Sequence, residues 1–589
     1  MCGLAGILLQ DGKPDKAVID ALANALAHRG PDGSGAFASQ DIEVIHTRLS
    51  IIDLETGDQP IQDKHGAVIV ANGEIYNYLE LREALGEQNF QTKSDCEPPL
   101  LLYELEGTAF TQSLRGMYGI AIVDPHNQHI HLARDPYGIK PLYYTEFEGG
   151  IAFASEAGAL LDAGLAPRNL NTGKRQELLQ LQFTTGVETI FENIKRVAPG
   201  ETLTLKSGRI THHLHHRPLP KGGPENWTEK EALEKLDEAL MDSVMVHQRS
   251  DVPYGMFLSG GVDSSVVLAC MRDLNEQPVE AFTAGFSGTG VADERDHAQT
   301  VANAAGANFH GIEFSEQDFW ALLPEIAATM DDPAADYAIL PTYKLGQAAQ
   351  QAGLKVVLSG EGGDELFAGY GRYRKQMRPW FLGGRKMRSK GVFHGLGLLR
   401  DQSSDWRNNF EAVWAREANS GRSKLQIAQA VDCADWLPHD LLIKLDRCLM
   451  AHGVEGRTPL LDKKVADVAM LLPDDLKVRG RIGKYLLRKW LEQKLPEARP
   501  FDKKKGFTVP VAEWMGRRGG KLGKLVAAQE SIKDVCDPVG VEKLFASLEG
   551  SAVKRNGQAA WVLLFYALWH RRHIEGIAPA GDVFECLGG

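Results

Sequence analysis

The sequence predicts two unlike halves. The first is α+β, with stacked antiparallel sheets flanked by helices; the second is α/β, built on a parallel sheet and ending in a mostly helical part. Three observations carry this. The first two hundred residues hold short apolar runs punctuated by Gly, Asn and Asp, the turn chemistry of antiparallel strands. From about residue 230, apolar runs alternate with helical stretches, the pattern of parallel strands with crossover helices. From about 370 to 575, Trp and Leu recur at helical spacing. At 589 residues the chain is too long for one core.

In chain order, the expected strands of the first half are "GLAGILL", "IEVIHTRLSIIDL", "GAVIVANGEIYN", "MYGIAIVD", "HIHLARD" and "GIAFASE", with a helix at "NYLELREALGE". "GRITHHLHHRPLPKGGPENWTEK" then carries four histidines and three prolines without periodicity. It reads as a solvated connector rather than a metal site, because no cysteine or carboxylate lies beside the histidines. "EKEALEKLDEALMDSVMVH" places Leu233, Leu236, Leu240 and Val244 on one helical face. "YGMFL", "EAFTAGF" and "LKVVL" read as the parallel strands. The expected division is 1–205, a connector 206–230, a second unit 231–575, and a loose tail 576–589.

Net charge is -13, from 65 basic and 78 acidic residues, which argues against a nucleic-acid partner. The seven cysteines (2, 96, 270, 433, 448, 536 and 586) are scattered without a CxxC, so a reducing cytoplasm is expected. No charged stretch followed by an apolar run comes after Met1, so no signal peptide is expected, and no apolar run is long enough to suggest a membrane span.

The chain opens MCGLAGI. Trimming of Met1 would leave Cys2 with a free α-amine, whose ordinary pKa is about 8. A thiol and its own amine on one residue make a nucleophile with a built-in base. Downstream, "HRGPDGSG" is a turn-dense loop, and Arg48 offers a planar fork for a carboxylate. Asn72 and Gly73 offer a side-chain amide and a bare backbone N–H for an oxyanion. Glu74 and Asp95 are suited to an ammonium group.

Residues 1 to about 205 therefore resemble the glutaminase domain of class II amidotransferases, which has the N-terminal-nucleophile hydrolase fold. The matching residues are Cys2, Arg29, Gly30, Pro31, Asp32, Gly33, Arg48, Asn72, Gly73, Glu74 and Asp95. The resemblance implies that Cys2 attacks the glutamine side-chain amide. Asn72 and Gly73 would stabilise the oxyanion, Arg48 would clamp the α-carboxylate, and Glu74 with Asp95 would hold the α-amine. "ARDPYGIKPLYY" and "FASE" are also like this family.

"YGMFLSGGVDSSVVLACM" is a strand, a Gly-rich turn and a helix start, suited to an anion. It lacks GxxxxGK[ST] and GxGxxG. SGGVDSS resembles the PP-loop of ATP pyrophosphatases, implying ATP contacts from Leu258, Ser259, Gly260, Gly261, Asp263, Ser264 and Ser265. "LKVVLSGEGGDELFAGYGRY" ends a second strand in another such turn, adding Ser359 and Gly360. Asp263 and Asp364 would hold Mg2+, Glu361 and Tyr370 would flank a reacting carboxylate, and Lys484 would neutralise charge at the α-phosphate. "DERDHA" (293–298) and "KKKGFTVP" (503–510) also look like this family's synthetase domain.

The order of the two halves resembles the glutamine-hydrolysing asparagine synthetase family. That resemblance implies ATP- and Mg2+-dependent amidation of aspartate through an acyl-adenylate, with ammonia passed inside the protein from the glutamine site. A homodimer is a family-level expectation. The acceptor contacts would fall in "DDPAADYAILPTYKLG" (331–346), where "AILPT" replaces a more polar stretch, and Gly456 stands where many relatives carry a larger residue. Two alternatives stay open: the same design acting on another carboxylate, and a catalytically silent binding homologue.

Overall fold

The computed structural model describes residues 2–588 apart from 292, 379–380, 382–383, 385, 503–507 and 551–553. Most of the Lys503–Pro510 stretch, and Met1, therefore lie outside the described residues.

The strands of the N-terminal half are β1 (Gly3–Leu9), β2 (Gly33–Ser39), β3 (Ile42–Arg48), β4 (Ile61–Gln62), β5 (Val68–Ile75), β6 (Gly116–Asp124), β7 (His129–Arg134), β8 (Tyr143–Phe147), β9 (Gly150–Ala154), β10 (Ile194–Arg196), β11 (Glu201–Lys206) and β12 (Arg209–His215). They form two six-stranded sheets, in the orders β10-β8-β9-β1-β3-β2 and β12-β11-β7-β6-β5-β4. Pairing is antiparallel throughout both. Leu4, Leu8, Val44 and Phe153 of one sheet interdigitate with Val68, Val70, Leu132 and Leu203 of the other. Two faces that each bury every second residue stack in this way. β1 is buried on both faces, since helix Lys16–Leu26 covers its outer side, so its run reads as continuously apolar.

The C-terminal half holds β13 (Tyr254–Phe257), β14 (Glu280–Gly285), β15 (Asn308–Glu313), β16 (Val356–Leu358) and β17 (Glu455–Arg457), in the order β15-β14-β13-β16-β17. Every pair is parallel. The chain steps to one side of β13 for β14 and β15, then crosses back for β16. That reversal opens a crevice at the carboxyl ends of β13 and β16, where open α/β sheets bind ligands. The remainder is mostly helical, and the helix Lys554–His573 buries Trp561 and Trp569 completely.

Two expectations need correction. The connector 206–230 is not irregular throughout, because residues 209–215 pair with β11 as edge strand β12. Most of its side chains are exposed, so no apolar period marked it. His213 pairs with Glu201 (2.9 Å), and His215 meets the Pro199 carbonyl (2.9 Å). The tail is not loose either. Helix Val583–Gly588 buries Val583, Phe584, Cys586 and Leu587, with Phe584 against Trp320, and Asp582 caps its first turn.

The halves meet through buried ion pairs. Arg196 of β10 donates to both oxygens of Asp332 (2.7 and 2.6 Å), which also accepts from Tyr143 (2.9 Å). Removing one partner strands the other charge in a low dielectric. Asp332→Ala is therefore expected to lower unfolding free energy by about 3–5 kcal/mol. Denaturant unfolding checks this; a loss below about 1 kcal/mol, the range of exposed pairs, would contradict it.

Candidate active sites

The first site forms where β1 begins. Three consecutive backbone N–H groups are held by side chains: Cys2 by Asn72 Oδ1 (3.1 Å), Gly3 by Thr47 Oγ1 (3.1 Å) and Leu4 by Ser155 Oγ (3.0 Å). Gly3 is required there, since a Cβ would lie 2.6 Å from Thr47 Oγ1. The fully buried Arg29 donates Nε to the Cys2 carbonyl (3.2 Å). Its other nitrogens meet Glu156 of the "FASE" stretch (2.7 Å) and Asp446 (2.9 and 3.1 Å).

Asn72 uses its carbonyl on Cys2, while its Nδ2 is buried without a hydrogen-bond partner. A buried donor left unpaired beside a nucleophile is the arrangement an oxyanion needs. Gly73 follows, packed so closely on β6 that a Cβ would sit 2.1 Å from the Met117 carbonyl. Burial pushes the Cys2 thiol above its ordinary value, so the thiol needs a base to ionise. His46, opposite Leu4 in the ladder, is not that base. Burial holds its pKa down to about 3, and its Nε2 meets the Ala71 carbonyl (3.1 Å).

Arg48 ends β3, with one nitrogen on the Asp58 carboxylate (2.6 Å) and another on the Asp53 carbonyl (2.5 Å). The Asp58 side chain is 82% exposed. An exposed carboxylate on this fork is chemically a stand-in for a substrate carboxylate. Glu74 and Asp95 are both buried. Asp95 accepts from the Ile75 N–H (2.8 Å), and burial raises its pKa to about 6. Glu74 pairs with Arg457 of β17 (3.0 Å), an arginine from the other half that the sequence reading did not single out.

The second site lies in the crevice at β13 and β16. The turn after β13 is tied by Ser264 Oγ, which meets the Ser259 N–H (3.2 Å) and Ser259 Oγ (3.1 Å). Gly260 has φ 71°, and the helix Val262–Leu274 starts behind the turn. The turn after β16 touches it: a Cβ on Gly360 would lie 2.7 Å from the Ser264 nitrogen. Between the turns, Lys484 is buried and pairs with Asp364 (2.5 Å) and with Asp263. Burial disfavours the Lys484 ammonium, yet the two carboxylates outweigh it and raise its pKa.

Leu258, Ser259, Gly260, Gly261, Asp263, Ser264, Ser359, Gly360, Glu361, Asp364, Tyr370 and Lys484 all line one cavity of about 470 Å³. Asp293, Glu294 and His297 of "DERDHA" line it too. Ser265 does not. One residue further along the helix, it is wholly buried in the core. Glu361 and Tyr370 share the cavity but not a partner. Glu361 faces Lys444 (3.7 Å), whereas the Tyr370 hydroxyl donates to Glu365 (2.7 Å). The segment 331–346 is split: Asp331 and Asp332 are buried against Arg447 and Arg196, while Ala338, Thr342 and Leu345 face the cavity. Gly456 is packed for glycine, since a Cβ would lie 2.9 Å from Leu449 Cδ1.

Among the described residues, no group of three or more His, Cys, Asp or Glu side chains is arranged for a metal. Asp263 and Asp364 nevertheless converge on one cation, the Lys484 ammonium, and their hard oxygens suit Mg2+ shared with phosphates.

Comparison with known proteins bears on both sites. Residues 1–216 match the family model described as glutamine amidotransferase domain, and residues 235–571 match the model described as asparagine synthase. The chain is 33% identical to asparagine synthetase [glutamine-hydrolyzing] 1 of Bacillus subtilis, covering 98% of this chain and 97% of that one. It is 30% identical to asparagine synthetase B [glutamine-hydrolyzing] of Escherichia coli, over 90% and 85% of the two chains. It is also 26% identical to amidase chyE of Penicillium rubens, over 99% of each.

Glu365 supplies a pH test of the second site. Burial and the adjacent Asp364 charge raise its pKa from 4.5 to about 8. The folded chain then keeps a proton that the unfolded chain releases, so stability falls as pH rises from about 4.5 to about 8. Glu365→Gln is expected to flatten that part of the Tm-versus-pH curve; parallel curves for the two proteins would contradict the assignment.

Proposed function

The chain belongs to the glutamine-hydrolysing asparagine synthetase family, and from that premise we propose that it transfers the amide nitrogen of glutamine to the side-chain carboxylate of aspartate at the expense of ATP. The observation that carries the reading is the pairing, in one chain, of Cys2 beside an unpartnered Asn72 amide donor with a phosphate-type crevice centred on Lys484.

In the first step Cys2 Sγ attacks the glutamine amide carbon. With Met1 removed, the Cys2 α-amine takes the thiol proton and returns it to the leaving ammonia. Asn72 Nδ2 and the Gly73 N–H receive the oxyanion, Arg48 exchanges Asp58 for the substrate α-carboxylate, and Glu74 with Asp95 faces the α-ammonium. Water then releases glutamate from the thioester.

In the second step the acceptor carboxylate attacks the α-phosphorus of ATP and pyrophosphate leaves. The turns at Ser259–Ser264 and Ser359–Gly360 cradle the phosphates through backbone N–H groups. Asp263 and Asp364 would hold Mg2+, which supplies charge neutralisation on the phosphate oxygens. Lys484, released from the two aspartates, follows the negative charge developing at the α-phosphate. Ammonia attacks the acyl-adenylate and AMP departs, with Glu361 placed to take the excess proton.

A second reading, the same chemistry on another carboxylate, draws support from the uncharged wall of Ala338, Thr342 and Leu345 and from the likeness to a chain named an amidase. Pyrophosphate release across a panel of carboxylates tests both. Aspartate is expected to be the best acceptor; release with another acid but not with aspartate would establish the second reading. Cys2→Ala is expected to abolish glutamine use while keeping ammonium-dependent synthesis, and equal loss of both would contradict the two-site scheme. Asn72→Ala is expected to lower the glutaminase kcat by about 10²–10³, the range for removing one oxyanion donor.

A further inference from the structure

Resting on that reading, we propose that Arg457 of the synthetase half is a positioning residue of the glutamine pocket and mechanically ties it to the Ser359 turn of the ATP crevice. Its side chain and its main chain face different sites. The guanidinium lies 3.0 Å from Glu74 and 2.6 Å from Glu455, and Nη1 donates to the carbonyls of His247 (2.9 Å) and Arg249 (2.7 Å). It is wholly buried, so a planar group anchored on these sides has no room to swing. The Glu74 carboxylate is therefore ion-paired with a residue that the glutaminase half does not contain.

The main chain of Arg457 belongs to the other site. Arg457 pairs with Leu358 in the parallel ladder, and its carbonyl accepts from the Ser359 N–H (2.8 Å). Ser359 opens the turn that lines the ATP crevice. A displacement of that turn on filling with phosphate is passed through one residue to Glu74. By linkage, glutamine on Glu74 acts back on the turn.

The charges favour the same role. Burial pushes the Glu74 carboxyl up, and Glu455 and Asp95 push it the same way, while Arg457 opposes them. Loss of Arg457 would remove a cation that favours the ionised form of this carboxyl. Arg457 therefore does more than fill space.

The test uses the full-length enzyme and reads two activities: glutamine hydrolysis and ammonium-dependent pyrophosphate release. Arg457→Met is expected to raise the KM for glutamine about tenfold or more, as truncating a buried charge partner does, while ammonium-dependent release changes less than about threefold. Arg457→Lys, which keeps the charge but not the fork, is expected to lie between wild type and Arg457→Met. In a Glu74→Gln background, Arg457→Met is expected to add little, because the pair is already broken. Parallel loss of both activities, failure of both variants to fold, or additive effects in the double variant would reduce Arg457 to a packing role and overturn the proposal. A wild-type enzyme that hydrolyses no glutamine would overturn the functional reading as well.

Discussion

Arg29 and Arg457 are both wholly buried, and both are neutralised across the boundary between the halves, Arg29 by Asp446 and Arg457 by Glu74. A buried guanidinium without a carboxylate is far more costly than the same pair intact. Separating the halves would break one of two ion pairs at each guanidinium, since Glu156 and Glu455 of its own half stay with it. The sites inherit this constraint. Arg29 donates to the carbonyl of Cys2, so the proposed nucleophile is positioned by a residue that is itself paired with Asp446 on the helix Ile443–Met450. Lys444 on that helix faces Glu361 in the second cavity. One helix thus reaches the residue that anchors Cys2 and a wall of the second cavity.

The second site is organised by a different balance. Two aspartates close together repel, and Lys484 between them offsets that repulsion. The lysine is at φ 55°, an uncommon backbone conformation for a side-chain-bearing residue, and the surrounding packing sustains it. Asp263 and Asp364 would hold Mg2+, and the Lys484 ammonium would then face the transferring phosphate. The resting charge pair and the proposed catalytic one use the same three side chains.

Much of this was legible in the sequence. The antiparallel and parallel halves followed from turn chemistry and alternation, and the residues around Cys2 and Lys484 do come together. What was not legible had specific physical reasons. β12 and the C-terminal helix were read as irregular because one carries only two half-buried apolar residues, Ile210 and Leu214, among exposed polar ones and the other is too short to show a period. β17 escaped because a three-residue strand with two charged side chains has no apolar signature; burial of Glu455 and Arg457 arises only from a partner far away in sequence. Arg29–Asp446 spans more than four hundred residues, beyond any local pattern. Ser265 was placed in the turn by motif, whereas helix geometry rotates it into the core. Asp331 and Asp332, inside a segment read for acceptor contacts, serve the interface instead.

The central claim is that one nitrogen is released at Cys2 and consumed at the Lys484 crevice of the same chain. Glutamine labelled with 15N in its amide, supplied with ATP, aspartate and an excess of unlabelled ammonium, tests it directly through the isotope content of the amidated product. The account predicts label far above that of the bulk ammonium pool, because the nitrogen travels inside the protein. A product labelled no more than the pool, or no amidated product at all, would contradict it.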